Sequence, residues 1–348
     1  MVTSRDVAKL AKVSVSTVSR AFREDVYISE EKKKKVFDAA IQLGYTPNLV
    51  ARSLKNQKSG VIGLILTDID NIFFSIVSRV IESDLKRQGY RLLVTYNTYN
   101  SDNMEQEADN LNLLSASRAD GIIFTPKSIK NQSIIERFRK QGIAMVQMYR
   151  LAYPDIDSVL IDDQKGAYMA TKHLLQHGHR NILLLSIDNS IYQDIRVPGN
   201  IYSDPRSEGY KKAMQEEGVP IADASMMNLP VLMDAREMIK QRINEIKPTA
   251  IIAGTNLIAR DAIKACKEQG FSIPNDISMV MFDDVDFASL LDITTVSQPI
   301  NEIGHIAGRS MIDQLNKNRP NSPLHVSLEP ILISRNSVRN LYHNADKQ

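Results

Sequence analysis

From Gly60 onward the chain alternates short, continuous apolar runs with longer amphipathic stretches, and this alternation restricts the fold more than any other feature. Residues 61–67, 91–96, 121–125 and 143–148 read as strands, with helices over 75–88, ending at Gly89, and 104–116. Strands that are apolar on both faces and separated by helices build a parallel sheet covered on both sides. The series restarts after Asp163, with a helix over 166–177 and a strand over 182–186. Further strands follow at 250–253 and 277–282, with a helix over 259–269 between them. The pattern predicts two α/β lobes with two cores.

The first 58 residues belong to neither lobe. They carry 12 Lys and Arg against 6 Asp and Glu, whereas the remaining 290 carry 31 against 35. The net charge of +2 is therefore a basic head averaged with a mildly acidic body. Such a head suits a polyanion, either nucleic acid or a membrane surface. The 348 residues leave room for two or three domains. No apolar run approaches the roughly 18 residues of a membrane-spanning helix. Arg5, Asp6 and Lys9 interrupt any signal-peptide core, so a cytoplasmic protein is expected. A single cysteine, Cys266, rules out an internal disulfide and a Cys-rich zinc site.

The pattern of the head decides between its two polyanions. Thr3 and Asp6 have capping-box spacing, and Val7, Ala8, Leu10 and Ala11 give one apolar face. Lys12-Val13-Ser14 breaks that helix, and Ser14 is placed to cap a second one over 15–22. Two helices joined by so short a turn form a helix-turn-helix, whose second helix enters the DNA major groove. A third helix is expected, capped by Ser29, with Glu30 and Glu31 at its start and Val36, Ala39, Ala40 and Leu43 facing inward. The run Lys32–Lys35 reads either as a solvated face or as a phosphate contact.

The ordered string Asp6-Val7-Ala8-Lys9-Leu10-Ala11, then Val13-Ser14-Val15-Ser16-Thr17-Val18-Ser19-Arg20, resembles the helix-turn-helix of the lactose-repressor (LacI/GalR) family. Lys12 stands where that family often has Gly. The resemblance continues through Gly121-Ile122-Ile123, Gly178-His179-Arg180, Arg206-Ser207-Glu208-Gly209-Tyr210, Phe282-Asp283-Asp284 and Gln298-Pro299, from about residue 3 to about 335. It implies a small all-α helix-turn-helix head (1–46), a hinge helix and linker (47–59), and an α/β body of two parallel-sheet lobes (60–340) like that of periplasmic sugar-binding proteins. The first lobe would take about 60–162 and 292–325, and the second about 163–291 and 326–340.

The resemblance also implies site roles. Val15, Ser16 and Arg20 occupy the positions from which the family reads bases. Arg20 suits a guanine edge and Val15 a thymine methyl. Thr17, Ser19 and Asn48 would hold phosphates or caps. In the hinge, Leu54 would wedge the minor groove, Ala51 would allow close approach, and Arg52 or Lys55 would neutralise phosphates. In the body, Arg206 and Asp283 match effector contacts, although a structural ion pair across the cleft is the plain alternative. Phe73 or Phe74, on the loop after the first strand, would form an apolar wall or pack into the core. Thr255, Asn256 and Gln298 are further candidates. Tyr149 stands where relatives have an acid beside Arg150, and Thr255-Asn256 replaces a frequent pair ending in Asp. The loop 188–205, with Tyr192, Arg196 and Tyr202, either rims the pocket, admitting a larger or phosphorylated sugar, or is plain surface.

The implied protein is a homodimeric, sequence-specific regulator, a repressor, binding double-stranded operator DNA and controlled by a sugar or sugar phosphate. No cofactor is expected: there is no phosphate-binding loop and no G-x-G-x-x-G after a strand. No G-x-S-x-G elbow or other nucleophile-and-base set supports an enzyme. His173, His177 and His179 lack the glutamate of a zinc hydrolase, so no metal is expected, and His179 reads as structural. The tail after Arg335 has no leucine heptads for a tetramer. The alternatives are a sugar-binding protein without a regulatory role and, less directly, an enzyme on a two-lobed fold.

Overall fold

The computed structural model describes residues 2–22, 27–46, 58–67, 71–97, 105–188, 204–230, 234–318 and 322–342. It divides into two compact units, Met1–Ser59 and Gly60–Gln348.

In the first unit, helices α1 (Ser4–Ala11), α2 (Val15–Ala21) and α3 (Glu30–Leu43) pack around a small core. The Asp6 carboxylate accepts hydrogen bonds from the Thr3 backbone N–H (2.8 Å) and hydroxyl (2.7 Å), as the spacing predicted. Lys12 takes the left-handed turn at φ 53°, ending α1. Ser14 caps α2 by accepting from the Thr17 N–H at 3.1 Å. Ser29 precedes α3 but makes no side-chain cap bond, contrary to expectation. Five of the eight buried core residues are alanines (Ala8, Ala11, Ala21, Ala39 and Ala40), with Val7, Val18 and Val36. Small side chains let the helices approach closely. Phe22 closes one side, its ring centroid 5.0 Å from Phe37 and 5.9 Å from Tyr45.

The second unit holds two six-stranded sheets. The first has the order β11-β5-β4-β3-β1-β2, from His325–Leu328, Asp157–Ile161, Ala144–Met148, Gly121–Phe124, Val61–Leu66 and Arg91–Tyr96. Every pair in it is parallel. The second has the order β12-β10-β9-β8-β6-β7, from Ile331–Ile333, Thr294–Ser297, Ser278–Phe282, Ala250–Ala253, Ile182–Ile187 and Met226–Leu229. Only β12, against β10, runs antiparallel in it. Strands such as β1, β3, β4 and β9 are almost wholly buried, which accounts for their unbroken apolar text.

The helices follow the same alternation. The first lobe carries α4 (Ile72–Arg87), α5 (Glu105–Ala116), α6 (Gln132–Lys140) and α12 (Ile300–Leu315). The second carries α7 (Asp163–Gln176), α8 (Pro205–Glu216), α9 (Arg236–Ile246), α10 (Asn256–Glu268) and the short α11 (Asp286–Leu290). Phe73, Phe74, Val77, Ile81 and Leu85 form the buried face of α4 and pack with Ile303, Ala307 and Met311 of α12. A side chain at Gly304 would come within 2.8 Å of Val80, so the two helices can approach this closely only with glycine there. No described helix is long and apolar enough to cross a membrane.

Two of the expected lobe boundaries are corrected by strand pairing. β10 pairs with β9 and β12, so residues 294–297 belong to the second lobe, not the first. β11 pairs with β5 along its whole length, so 326–328 belong to the first lobe together with 325, not to the second. The chain therefore crosses between lobes three times: after β5, after β10 and after β11.

Candidate functional site

A cavity of about 350 Å³ lies between the two lobes. Most of its lining comes from carboxyl ends of parallel strands and the helix starts that follow them, the usual place for a ligand in an open α/β sheet. The first lobe contributes Thr67, Asn71, Phe73, Phe74, Thr125, Tyr149 and Arg150. The second contributes Asp163, Ile187, Asp204, Arg206, Thr255 and Asp283, and the crossovers add Asp162 and Gln298.

Phe73 and Phe74 do not sit on a loop. Asn71 caps α4 by accepting from the Phe73 N–H at 3.0 Å, which places both rings in the first helical turn. They form a three-ring cluster with Tyr149, centroids 5.3, 5.4 and 5.7 Å apart, within reach of edge-to-face attraction. Both are buried and both line the cavity, so wall and core are one surface here. Tyr149 has left-handed backbone, φ 66°, at the end of β4. Asp283 has the same conformation, φ 72°, at the end of β9, the corresponding strand of the other sheet. Non-glycine residues hold this conformation at a cost and cluster at functional sites.

Arg206 lies two residues after Asp204, which caps α8 by accepting from the Arg206 and Ser207 N–H groups. α8 presses against the start of α7: a side chain at Gly209 would meet the Gln164 carbonyl and lie 2.8 Å from the Tyr168 nitrogen. That contact sets Arg206 beside Asp163, with Nη2 to Oδ1 at 3.2 Å. Nη1 donates to the Gly254 carbonyl, and the guanidinium lies 4.4 Å from the Phe282 ring centroid. Burial opposes its charge, but Asp163, Asp283 and Asp204 outweigh that and raise its pKa. The alternative of an Arg206–Asp283 ion pair across the cleft does not hold: Arg206 pairs with Asp163, and all three belong to the second lobe.

Asp283 is held by amides. Its Oδ2 accepts from the Asn256 backbone N–H (3.2 Å) and side chain (2.8 Å), and its Oδ1 from Gln298 Nε2 (2.9 Å). Burial raises its pKa, against the opposing pull of Arg206 and Asn256. Thr255 caps α10 through the Ile258 N–H. Three buried polar atoms of lining residues have no hydrogen-bond partner among the described residues: Thr125 Oγ1, Tyr149 Oη and Arg206 Nε. Burial, with the charge of Asp283, pushes the Tyr149 hydroxyl pKa well up. Outside the cavity lining, the buried Glu107 accepts from the Lys127 N–H (2.8 Å) and Asn131 Nδ2 (2.6 Å). Burial raises its pKa to about 7.

In the head, Val15, Ser16, Ser19 and Arg20 are exposed on α2, opposite the buried Val18 and Ala21. The hydroxyls of Ser16 and Thr17 lie 2.7 and 2.8 Å from that of Ser14. Thr17 therefore belongs to the cap, while Val15, Ser19 and Arg20 are exposed side chains outside it. Lys35 of the lysine run pairs with Glu31 at 2.7 Å on the surface. The hinge candidates Asn48, Ala51, Arg52, Leu54 and Lys55, and Tyr192, Arg196 and Tyr202 of the body, lie outside the described residues.

His179 is wholly buried, with Nδ1 3.0 Å from the Thr249 hydroxyl and Nε2 3.1 Å from the Arg339 carbonyl, and burial lowers its pKa to about 4. His173 is likewise lowered to about 4 by burial and by His177. Among the described residues no group of three His, Cys, Asp or Glu could hold a metal.

Sequence reasoning missed Asn71, Thr125 and Asp163. Each had a signal: Asn71 directly precedes a helical apolar run, Thr125 directly follows a buried strand, and Asp163 opens α7 at a crossover.

An exposed reading face on a small helical unit and a polar cleft between two lobes, in one chain, define a ligand-responsive DNA-binding protein. Residues 3–48 match the family described as bacterial regulatory proteins, lacI family, and residues 171–338 match a periplasmic binding protein-like domain. The transcriptional regulator RegA of Clostridium saccharobutylicum is 35% identical over 343 residues, covering 96% of this chain and 98% of its own. The ribose operon repressor of Halalkalibacterium halodurans is 32% identical, covering 97% and 98%. A solved LacI-family regulator from Enterococcus faecium, with bound ribose, superposes with a TM-score of 0.68 at 26% identity, covering 81% of this chain and 99% of its own. The chain belongs to the lacI family of bacterial regulatory proteins, and it is a DNA-binding transcriptional regulator.

Proposed function

We propose that this regulator is a cytoplasmic homodimeric repressor whose two heads read a pseudo-palindromic operator and whose cleft takes a neutral, polyhydroxylated effector, a sugar. The observation that supports the effector class most is the set of unpartnered polar atoms around an aromatic wall: Thr125 Oγ1, Tyr149 Oη and Arg206 Nε beside Phe73 and Phe74. Sugar hydroxyls supply the missing partners, and the C–H face of a sugar ring packs on aromatic rings. Among the described lining residues, four carboxylates (Asp162, Asp163, Asp204, Asp283) face two arginines (Arg150, Arg206), which favours a neutral ligand over a sugar phosphate. The Enterococcus relative, with its bound ribose, supports the same class.

Arg206, Asp163 and Tyr149 are assigned to ligand hydroxyls, and Phe73 and Phe74 to the ring face. Thr255 acts as a helix cap, and Gln298 as a support of Asp283. Arg196 remains a rim candidate. In the head, Arg20 and Val15 read base edges, with Ser16 beside them. Ser19 and Asn48 hold phosphates, and Thr17 holds the cap. Ala51, Arg52, Leu54 and Lys55 form the minor-groove hinge. Ligand binding then shifts the lobe equilibrium and with it operator affinity, a coupling of about 1–3 kcal/mol in typical cases. No catalytic step is assigned.

A thermal-shift screen of neutral sugars, sugar phosphates and nucleobases tests the effector class, because a ligand of the folded state raises apparent stability. Neutral sugars are expected to raise the melting temperature; a response to sugar phosphates or nucleobases alone would reject the assignment. A mobility shift on the protein's own upstream DNA tests the reader. Removing residues 1–58 is expected to abolish binding, whereas equal binding by the truncated chain would rule out a reading role for the head. Arg20→Ala should cost about 1–3 kcal/mol and relax selectivity at one base position.

A further inference from the structure

The cleft is bridged by the protein's own amides. Asn256, the first residue of α10 in the second lobe, donates from Nδ2 to Asn71 Oδ1 of the first lobe at 2.8 Å. The same Nδ2 donates to Asp283 Oδ2 at 2.8 Å. Asn71 Oδ1 also receives the Phe73 N–H that starts α4, so the bridge ends on the cap of that helix. Asp283 Oδ1 receives Gln298 from the crossover after β10, so its other end is tied to a segment that links the lobes. All four residues are buried, at 3–8% exposure, where a hydrogen bond is hard to replace with water.

We infer that Asn71 and Asn256 form a latch that holds the two lobes closed without a ligand, so that closure in this regulator is set by its own side chains. The inference deepens the effector reading of the cleft and rests on it only for what the latch controls. The chemistry depends on the amide at position 256. An amide can donate to a carbonyl oxygen and a carboxylate together, whereas an aspartate would set a second carboxylate against Asp283 and offer Asn71 Oδ1 no donor. The latch also constrains a ligand. Both oxygens of Asp283 and the Asn256 amide are already engaged, so a hydroxyl that reaches them must displace a protein bond. Thr125, Tyr149 and Arg206 carry no such exchange at their unpartnered atoms.

The test measures lobe separation in the full chain without ligand or DNA, by electron spin resonance between labels on Ser117 and Lys267, both exposed, one on each lobe. Cys266, one residue away, is buried and is replaced by Ala. The unmutated latch should give one dominant short distance. Asn71→Ser keeps a hydroxyl to cap α4 but is too short to reach Asn256. It should raise the ratio of open to closed molecules about fivefold, the loss of one ordinary hydrogen bond of about 1 kcal/mol. Asn256→Asp should open the lobes at least as far. A distance distribution in Asn71→Ser and Asn256→Asp matching the unmutated one, with both variants folded by circular dichroism, overturns the latch. A broad, mostly open distribution in the unmutated chain overturns it as well. Neither result bears on sugar binding or operator binding, which are read separately by thermal shift and mobility shift.

Discussion

The two lobes share a strand order and a backbone device, yet they bring different chemistry to the cleft. Each places a left-handed residue at the end of the same strand of its sheet: Tyr149 in the first lobe, Asp283 in the second. The first lobe offers three aromatic rings and two hydroxyls, of Thr125 and Tyr149, with no partner among the described residues. The second offers charge already committed, with Arg206 on Asp163 and Asp283 held by two amides. The difference separates two tasks. Unpaired hydroxyls on the first lobe gain most from a ligand, because they cost free energy until one arrives. The prepaid network of the second lobe fixes geometry and orients the ligand. Affinity then needs both faces, which is why lobe closure and binding are linked.

The comparison can be broken first at Arg206. Arg206→Lys keeps the charge but loses the planar fork that reaches Gly254, Asp163 and the cavity together. Calorimetric titration with the ligand found by the screen should show binding about 10- to 100-fold weaker, worth roughly 1.4–2.7 kcal/mol. Unchanged affinity would mean that the second lobe does not orient the ligand.

Tyr149→Phe sharpens the first lobe's part. The ring cluster survives, while a buried hydroxyl without a described partner is removed. The free chain should become more stable by about 1 kcal/mol while ligand binding weakens about fivefold. Loss of stability in the free variant would show that the hydroxyl already serves the structure.

The smallest effect is opposite pH dependence in the two lobes. Glu107 in the first lobe has its pKa raised by burial from 4.5 to about 7, so its folded form holds a proton that the unfolded chain gives up. Its contribution is whole below pH 4.5 and lost as pH rises through 7. His179 in the second lobe is lowered by burial from 6.5 to about 4, so its contribution is whole above pH 6.5 and lost as pH falls through 4. Stability to heat should therefore fall toward alkaline pH in a way Glu107→Gln removes. Toward acid it should weaken in a way His179→Asn removes. Each effect is expected to be a few degrees. Parallel pH profiles for a variant and the parent would reject that assignment.

How much of this was legible in the sequence depended on whether a residue announces a local or a distant partner. The helix-turn-helix was readable because Ser14, Lys12 and the apolar face of α1 act within a few residues of one another. The two sheets were readable because strands buried on both faces have no polar alternation to hide them. Arg206 and Asp283 were found by their place in the family pattern, but their partners were not. Asp163 meets Arg206 only because Gly209 lets α8 settle on α7, a contact between residues 164 and 209 that no spacing rule contains. Phe73 and Phe74 were placed on a loop because the helix was read from Ser75, whereas the Asn71 cap starts it at Ile72. The lobe boundaries were misplaced because β10 and β11 are four residues each, and only their pairing partners decide which sheet they join.

The third crossing of the chain has a consequence for how the molecule is made. β11 completes one edge of the first sheet and β12 one edge of the second, and both lie within residues 325–333. On a ribosome, where chains emerge at about 5–20 residues per second, the helical head and most strands of both lobes leave the exit well before either sheet is finished. β5 waits for its last neighbour across more than 160 residues of synthesis. The head has mostly local contacts and can fold early, since low contact order means fast folding. During that interval a nascent chain presents a folded DNA reader on lobes whose edge strands are still open.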